Sequence, residues 1–381
     1  MRFDTRLIHG RQPPDPLTGA VNPPIYLSST FRQLAPNRNQ GYVYSRSANP
    51  TRTALENALA EIEAGRAGLA FSSGLGALAT LLEAFPTGSR IVSVDDLYGG
   101  TWRLFDHHRR QFGIRIDYVD MTRPELVREA LAQGPTSLVY LETPTNPLLK
   151  LVDLAAVVRL ARREGAPVAV DNTFASPANQ RPIERGADIV LHSTTKYLGG
   201  HSDIIGGALV LRKAADVEKF AWLQNAIGAV PSPVDAYLVL RGLHTLGVRM
   251  RAHEASARAV VEVVAGHRKV RAFHYPGHPN HPQYSLARRQ MDGFGGIVSV
   301  EVAGGRSAAL RFLRGLKLFT LAESLGGVES LAEHPASMTH ASVPREQREA
   351  HGVTEGLLRL SCGIEDPADL ADDVRRALGR I

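Results

Sequence analysis

Lys196 stands in the stretch HSTTKYLGGHSD, residues 192–203, behind Ser193, Thr194 and Thr195 and ahead of Gly199 and Gly200. A solvated surface lysine has no need of such neighbours, whereas an amine that acts as a nucleophile gains from hydroxyls and close backbone. Two other stretches carry complementary chemistry. Asp171 follows the apolar run APVAV, and Gly74 and Leu75 open the glycine-rich GLGALATLLEAF directly after Ser72 and Ser73. The first N–H groups of a helix begun there would face an anion. Taken alone, Asp171 is equally a helix cap. Together, a strand-end amine, a carboxylate on a neighbouring strand end, phosphate-ready N–H groups and extra hydroxyls are the parts that hold pyridoxal 5'-phosphate (PLP). The amine would link to the aldehyde, the carboxylate would pair with the ring nitrogen, and the turn and hydroxyls would take the phosphate.

These residues need elements that bring them to one edge. GLAFSS, RIVSVDD, RIDYVDM, SLVYLETP, APVAVDNT, DIVLHSTT and GGALVLR are short apolar runs, several separated by helical stretches such as PELVREALAQG and LAAVVRLARREG. That alternation predicts an α/β fold with a mostly parallel sheet covered on both faces, and ligands beyond the carboxyl ends of its strands. TALENALAEIEAG carries Leu55, Leu59 and Ile62 at helical spacing and predicts a helix that stops at Gly65. Residues 1–46 are rich in Pro, Asn, Ser and Thr without a sustained period, and predict an extended arm. GLHTLGVRMRAHEASARAVVEVVAG predicts one long helix leading out of the first domain, GGIVSVEVAG an alternating strand, and PADLADDVRRALGRI an amphipathic terminal helix. The expected organisation is an arm (1–46), a cofactor-binding domain (47–250) and a smaller α+β domain (251–381).

With 381 residues, 44% hydrophobic and 22% charged, the chain can bury more than one core. The net charge of +6 comes from basic residues interleaved with acidic ones, which gives no nucleic-acid surface. DHHRRQFGIRI, the densest basic cluster, reads as a solvated helix face entering a strand. No uncharged apolar run approaches the roughly 18 residues of a membrane helix. The opening MRFDTRLIHG has no apolar signal region, and a cytoplasmic location is expected. The single cysteine, Cys362, excludes an intrachain disulfide and reads as a small packing residue. Gly74, Gly76 and Ala79 also match G-x-G-x-x-A, with Asp95 and Asp96 closing the next strand, so a dinucleotide-binding oxidoreductase competes with the PLP reading. Against it, Ser72 and Ser73 suit a single phosphate better, and Lys196 is left without a role. His274, His278 and His281 have metal-like spacing, but three prolines in FHYPGHPNHPQY make a loop, and no metal site is expected.

TGAVNPPIYLSSTF, YSRSANPT, FSSGLGA, DDLYGGT, ETPTNP, VDNTFASP, HSTTKYLGGHSD, GAVPSPVDAYL, AESLGGVESL, MTH and LLRLSCGIED follow one another along nearly the whole chain. In these motifs and their order the sequence resembles the cysteine and methionine metabolism family of PLP-dependent enzymes, the trans-sulfuration group. The resemblance implies the aspartate aminotransferase fold (fold type I) and a homotetramer of two tight dimers whose active sites are shared across the dimer interface. It implies that Lys196 carries the cofactor and then shuttles protons, that Asp171 pairs with the pyridine nitrogen, and that Tyr98 stacks on the ring. The phosphate would be held by the backbone of Gly74 and Leu75, by Ser193 and Thr195, and by Tyr44 and Arg46 from the partner subunit. Leu75 replaces the methionine of many relatives, which a backbone role tolerates. Arg359 would clamp the α-carboxylate of an amino-acid substrate, assisted by Asn146 and Ser324.

Within that family, the resemblance of Glu323 and of Gly100 in YGGT points to γ chemistry on cystathionine, as in cystathionine γ-lyases and γ-synthases. HPASMTHASVP leans toward the lyases, while Arg103 could meet an acyl-homoserine ester of a synthase. A non-catalytic ligand-binding protein on the same fold is a further alternative, opposed by retention of every cofactor position.

Overall fold

The computed structural model describes residues 1–341 and 343–381, so Ser342, one position of HPASMTHASVP, lies outside the described residues. Seven strands form the larger sheet: β1 (Ala67–Phe71), β2 (Arg90–Val94), β3 (Arg115–Val119), β4 (Leu138–Glu142), β5 (Val168–Asp171), β6 (Ile189–Ser193) and β7 (Gly207–Leu211). Their order is β1-β7-β6-β5-β4-β2-β3; β7 runs antiparallel to both neighbours, and the other pairs are parallel. All seven runs singled out in the sequence are strands. β2, β4 and β7 are buried at every position, because helices cover both faces, and that burial is why they read as unbroken apolar runs. β3, at the edge, carries Arg115 and Asp117 and stays partly exposed.

Register then places the chemistry. Glu142 at the end of β4 is opposite Asp171 at the end of β5, and Asp171 is opposite Leu191 in β6, two residues before Ser193. A parallel sheet thus gathers polar strand ends from distant parts of the chain onto one edge.

A second sheet, β10-β11-β12-β9-β8, contains β8 (Val270–His274), β9 (Ile297–Val302), β10 (Thr320–Leu321), β11 (Leu331–Glu333) and β12 (Leu357–Ser361), with only β10 and β11 parallel. Val298, Val300, Leu358 and Leu360 pack with Val260, Phe312 and Val374 of the surrounding helices into its core. Cys362 is buried in the same cluster. The architecture is the one the sequence predicts, a mostly parallel α/β sheet with a smaller second sheet.

Several local expectations differ. The N-terminal segment begins with a helix, Phe3–His9, because Leu7 packs against Leu55 and Leu59 and Asp4 pairs with Arg251 at 2.9 Å. The helix expected to start near residue 53 spans Pro50–Ile62, with Asn49 accepting the N–H groups of Thr51 and Arg52 and Pro50 at its first position. Beyond its end the left-handed residue is Ala64 (φ 57°), not Gly65. Gly65 serves a close approach instead: a Cβ there would lie 2.2 Å from Val210 Cγ1. The single long helix expected over 242–266 is two helices, Pro233–Leu243 and Leu246–Val264. Gly242 is pressed on the carbonyls of Leu198 and Gly199, and the Arg249 guanidinium donates to the Gly242 carbonyl at 2.7 Å in the gap between them. β9 is buried nearly throughout rather than alternately, since Ser299 donates to the Pro147 carbonyl at 2.6 Å on the face that pattern would have left wet.

Candidate active site

A cavity of about 600 Å³ lies at the carboxyl ends of β4, β5 and β6 and is closed on the other side by residues 322–325, β11 and β12. The wall from the large sheet begins at the helix Gly74–Leu82. Ser73 caps it, accepting the Gly76 N–H at 2.9 Å. The N–H groups of Gly74 and Leu75 belong to the first turn, which a helix leaves unpaired. A Cβ at Gly74 would stand 3.0 Å from Ser193 Cβ, so only glycine lets the helix start meet the end of β6. Ser193 and Thr195 line the same corner.

Asp171 ends β5 and accepts the Thr173 N–H at 2.9 Å, while Thr173 Oγ1 accepts the Ser193 N–H at 2.9 Å. It caps no helix; the next one, Ser176–Asn179, starts after Ala175. Burial raises the Asp171 pKa, opposed by its bonds to Thr173 and by nearby His192. Behind the sheet, buried Glu63 meets His192 at 2.5 Å and accepts from Asn172 Nδ2 at 2.9 Å. Neither Glu63 nor His192 stood out in the sequence, since their pairing joins a helix end to a strand 129 residues away.

Lys196 follows β6 and donates to Ser324 Oγ at 2.8 Å. Its pKa is lowered to about 8, first by burial and then by Arg359, while Glu333 and Glu323 push the other way. Ser324 holds φ 90°, a strained conformation for a residue with a side chain. That backbone turns its hydroxyl to Lys196 and its carbonyl to Arg359, which donates to it at 2.7 Å. Arg359, in β12 and 2% exposed, also donates to Asn146 Oδ1 at 3.0 Å and lies 2.9 Å from Glu333 Oε2. Glu333 is opposite Arg359 in the β11–β12 register and accepts from Thr339 Oγ1 at 2.9 Å. Burial raises the Glu333 pKa despite Arg359. Arg359 Nε, itself buried, has no hydrogen-bond partner among the described residues.

Tyr98 and Glu323 also line the cavity. Burial raises the Tyr98 pKa, with Arg103 opposing and Glu323 reinforcing. The structure thus brings together Gly74, Leu75, Tyr98, Asn146, Asp171, Ser193, Thr195, Lys196, Glu323, Ser324 and Arg359. Three expected residues lie outside the lining of their own chain's cavity. Arg103 is exposed on the helix Gly99–Phe112. Arg46 stacks on Tyr44 and donates to the Asn225 carbonyl and Oδ1 at 2.7 and 3.0 Å.

The donor set fits PLP: an amine with depressed pKa, a carboxylate one strand away, hydroxyls, and unpaired helix N–H groups in a corner that any Cβ would fill. The dinucleotide alternative loses its acidic residues. Asp96 accepts from Thr145, Asp95 faces Lys150 and His351, and neither lines the cavity. Among the described residues no group of three or more His, Cys, Asp or Glu side chains is gathered to hold a metal ion, and His281 Nε2 faces the Leu149 carbonyl at 3.1 Å. Among them no helix is long and apolar enough to cross a membrane.

The sequence matches the Cys/Met metabolism PLP-dependent enzyme family over residues 4–379. It is 50% identical over 378 residues to a cystathionine β-lyase of Coxiella burnetii, covering 99% of this chain and 97% of that one. It is 47% identical over 381 residues to a cystathionine γ-lyase of Bacillus subtilis, covering both chains in full. A cystathionine γ-synthase of Xanthomonas oryzae pv. oryzae, solved in complex with cystathionine, superposes with a TM-score of 0.97 at 47% identity, over 100% of this chain and 98% of that one.

Proposed function

The chain belongs to the Cys/Met metabolism PLP-dependent enzyme family, and on that premise we propose that it catalyses γ-elimination of L-cystathionine to L-cysteine, 2-oxobutanoate and ammonia. PLP is the family's cofactor, and when bound it supplies an aldehyde that captures the substrate amine and a ring that takes up the electron pair left at Cα. Lys196 holds the cofactor at rest and, once displaced by substrate, takes the proton from Cα; its lowered pKa makes a neutral amine available near neutral pH. Removal of a second proton at Cβ then lets the γ thiolate leave, and water completes the turnover. Asp171 pairs with the ring nitrogen, Ser193, Thr195, Gly74 and Leu75 hold the phosphate, and Tyr98 stacks on the ring and handles protons. Arg359, steadied by Asn146 and Ser324, clamps the α-carboxylate.

One observation carries the choice of substrate. Glu323 borders the cavity beside Ser324, near enough for its charge to act on Lys196 and Tyr98. Cystathionine has a second amino-acid end beyond its sulfur, and a carboxylate there meets the distal ammonium while disfavouring an apolar methylthio group. The likeness to a γ-synthase supports a second reading, replacement on O-succinyl- or O-acetyl-homoserine by cysteine, with Arg103 toward the ester. The β-lyase relative supports β-elimination. Product analysis separates all three. We expect cysteine and 2-oxobutanoate from cystathionine; homocysteine and pyruvate would mean β chemistry, and cystathionine made from a homoserine ester faster than it is broken down would mean a synthase. Glu323→Ala should lower kcat/KM for cystathionine relative to methionine by about tenfold; an unchanged ratio removes Glu323 from specificity.

Tyr44 and Arg46 complete the phosphate site of a neighbouring copy in a homotetramer of two dimers. The exposed apolar side chains along the same arm, Leu17, Val21 and Leu27 among them, support this reading.

A further inference from the structure

Glu142 has no role in the chemistry assigned above, yet it is buried at the cavity floor. Its carboxylate accepts the Tyr98 backbone N–H at 3.0 Å through Oε2 and 3.2 Å through Oε1, and Thr101 Oγ1 donates to it at 3.3 Å. Tyr98 occupies the cap position of the helix Gly99–Phe112 but makes no side-chain cap bond, as a phenol cannot reach back to its own first turn. The cap has moved to the end of β4. A carboxylate is the favoured group at a helix N-terminus, where it meets unpaired N–H groups and the positive end of the dipole.

An ordinary cap would come from residue 98 itself as Ser, Asp or Asn. Keeping a tyrosine there, and supplying the acceptor from a buried strand, frees the phenol to project into the cavity while its main chain is tied to the sheet. One side of the ring and the start of the helix beneath it are closely packed. A Cβ at Gly100 would stand 2.4 Å from the Tyr98 ring, and one at Gly99 would stand 2.2 Å from the Thr339 carbonyl. The tie is made against a penalty, since burial and the facing Asp171 raise the Glu142 pKa well above the ordinary range.

We propose that Glu142 is a positioning residue that fixes Tyr98 over the cavity by holding its backbone N–H from the end of β4. The proposal rests on Tyr98 being the stacking and proton-handling group. Since Glu142 and Asp171 end adjacent paired strands, the same sheet edge would then set the ring-nitrogen contact and the stacking group together.

The test uses the PLP-loaded enzyme. Glu142→Ala should lower kcat on cystathionine by about 10- to 100-fold with KM changed little, as for a misplaced catalytic group, and should shift the absorption band of bound PLP. Glu142→Gln keeps an acceptor for the N–H and should restore both kcat and the band. In a Tyr98→Phe background, which keeps ring and N–H, the loss from Glu142→Ala should shrink. An unchanged kcat and band with a lowered Tm would reduce Glu142 to a helix cap and overturn the proposal, as would, where Tyr98→Phe itself lowers kcat, an equal loss from Glu142→Ala with and without the Tyr98 hydroxyl. If Tyr98→Phe alone leaves kcat unchanged, proton handling by Tyr98 falls, and positioning stands or falls on whether the band moves in Glu142→Ala and returns in Glu142→Gln. Should the alanine variant fail to fold, Glu142→Asp withdraws the carboxylate by one methylene. An aspartate variant worse than the glutamine variant supports positioning; the reverse means that charge matters rather than reach, and overturns it.

Discussion

The cavity wall at the ends of β5 and β6 differs from the wall formed by residues 322–325, β11 and β12 in how its polar groups are satisfied before any ligand arrives. On the first wall most contacts end on backbone N–H groups, several of them close in sequence: Asp171 to the Thr173 N–H, Ser73 to the Gly76 N–H, Thr195 Oγ1 to the Gly206 N–H. On the second they are ionic or long-range: Arg359 with Glu333, Arg359 with Asn146 across 213 residues, and Ser324 with Lys196 across 128. A wall of local contacts is set once its strands pair, and suits a cofactor that stays. A wall of exchangeable charges suits a substrate that comes and goes, because an incoming carboxylate can share Arg359 without dismantling the fold.

Lys196 sits on the first wall and bonds to the second, so its removal is expected to have the largest effect. Lys196→Ala should lower kcat by about 10³-fold or more, while PLP still binds noncovalently through the first wall. Absorbance after dialysis and turnover measure the two separately; borohydride should fix PLP to the parent at Lys196 and not to the variant. Loss of PLP from Lys196→Ala would mean that the first wall is not preformed, and the contrast between the walls would fail.

Arg359 tests the second wall. Arg359→Ala should raise KM by about 100-fold through loss of a charge-assisted clamp. It should also lower unfolding stability by about 3 kcal/mol, because it strands buried Glu333. Adding Glu333→Ala should return much of that stability and none of the KM. If the double variant is no more stable than the single one, the pair is not the coupled unit that the register implies.

The same contrast explains what could be read from the sequence. Strand ends on the first wall lie beside their partners in the chain, so Ser73-Gly74, Asp171-Thr173 and Ser193 to Lys196 show as compact motifs. Six of the seven strands are legible for the related reason that near-complete burial demands apolar runs, while β3, partly exposed at the edge, is not explained by burial. Glu333, Glu142, Glu63 and His192 have partners only through tertiary contact, and a buried carboxylate in LAEHP or YLETP looks like any strand-end glutamate. The helix Phe3–His9 leaves no sequence signal because its single buried side chain, Leu7, gives no periodicity, and the break after Leu243 leaves none because it depends on Arg249 and the approach of Gly242 to the Lys196 turn.

The N-terminal arm extends the comparison beyond one chain. If Arg46 serves a neighbour's first wall, Arg46→Ala should weaken PLP retention by about 10- to 100-fold. Mixed Arg46→Ala and Lys196→Ala subunits should recover activity, since some dimers then hold one intact composite site. Activity no higher than in the separate variants would place the whole site within one chain.

The smallest expected effect is the most specific to the charges of the second wall. On the proposed mechanism the Lys196 amine is linked to PLP at rest and is freed when substrate binds, so the pH profile of kcat, measured with substrate saturating, would report it. The neutral amine is the base, and kcat should therefore rise with pH through about 8. Glu323 raises that pKa and Arg359 lowers it. Removing a carboxylate withdraws support from the charged amine, so Glu323→Gln should move the midpoint to lower pH; Arg359→Lys keeps the charge and should leave it near the parent's. Burial, the largest cause, is common to all three proteins and cancels in the comparison. A midpoint that stays fixed in Glu323→Gln would mean that the carboxylate is screened from Lys196 once substrate is bound. Its contact would then be with the distal end of the substrate alone, and the second wall would divide into a clamp that tunes the base and a selector that does not.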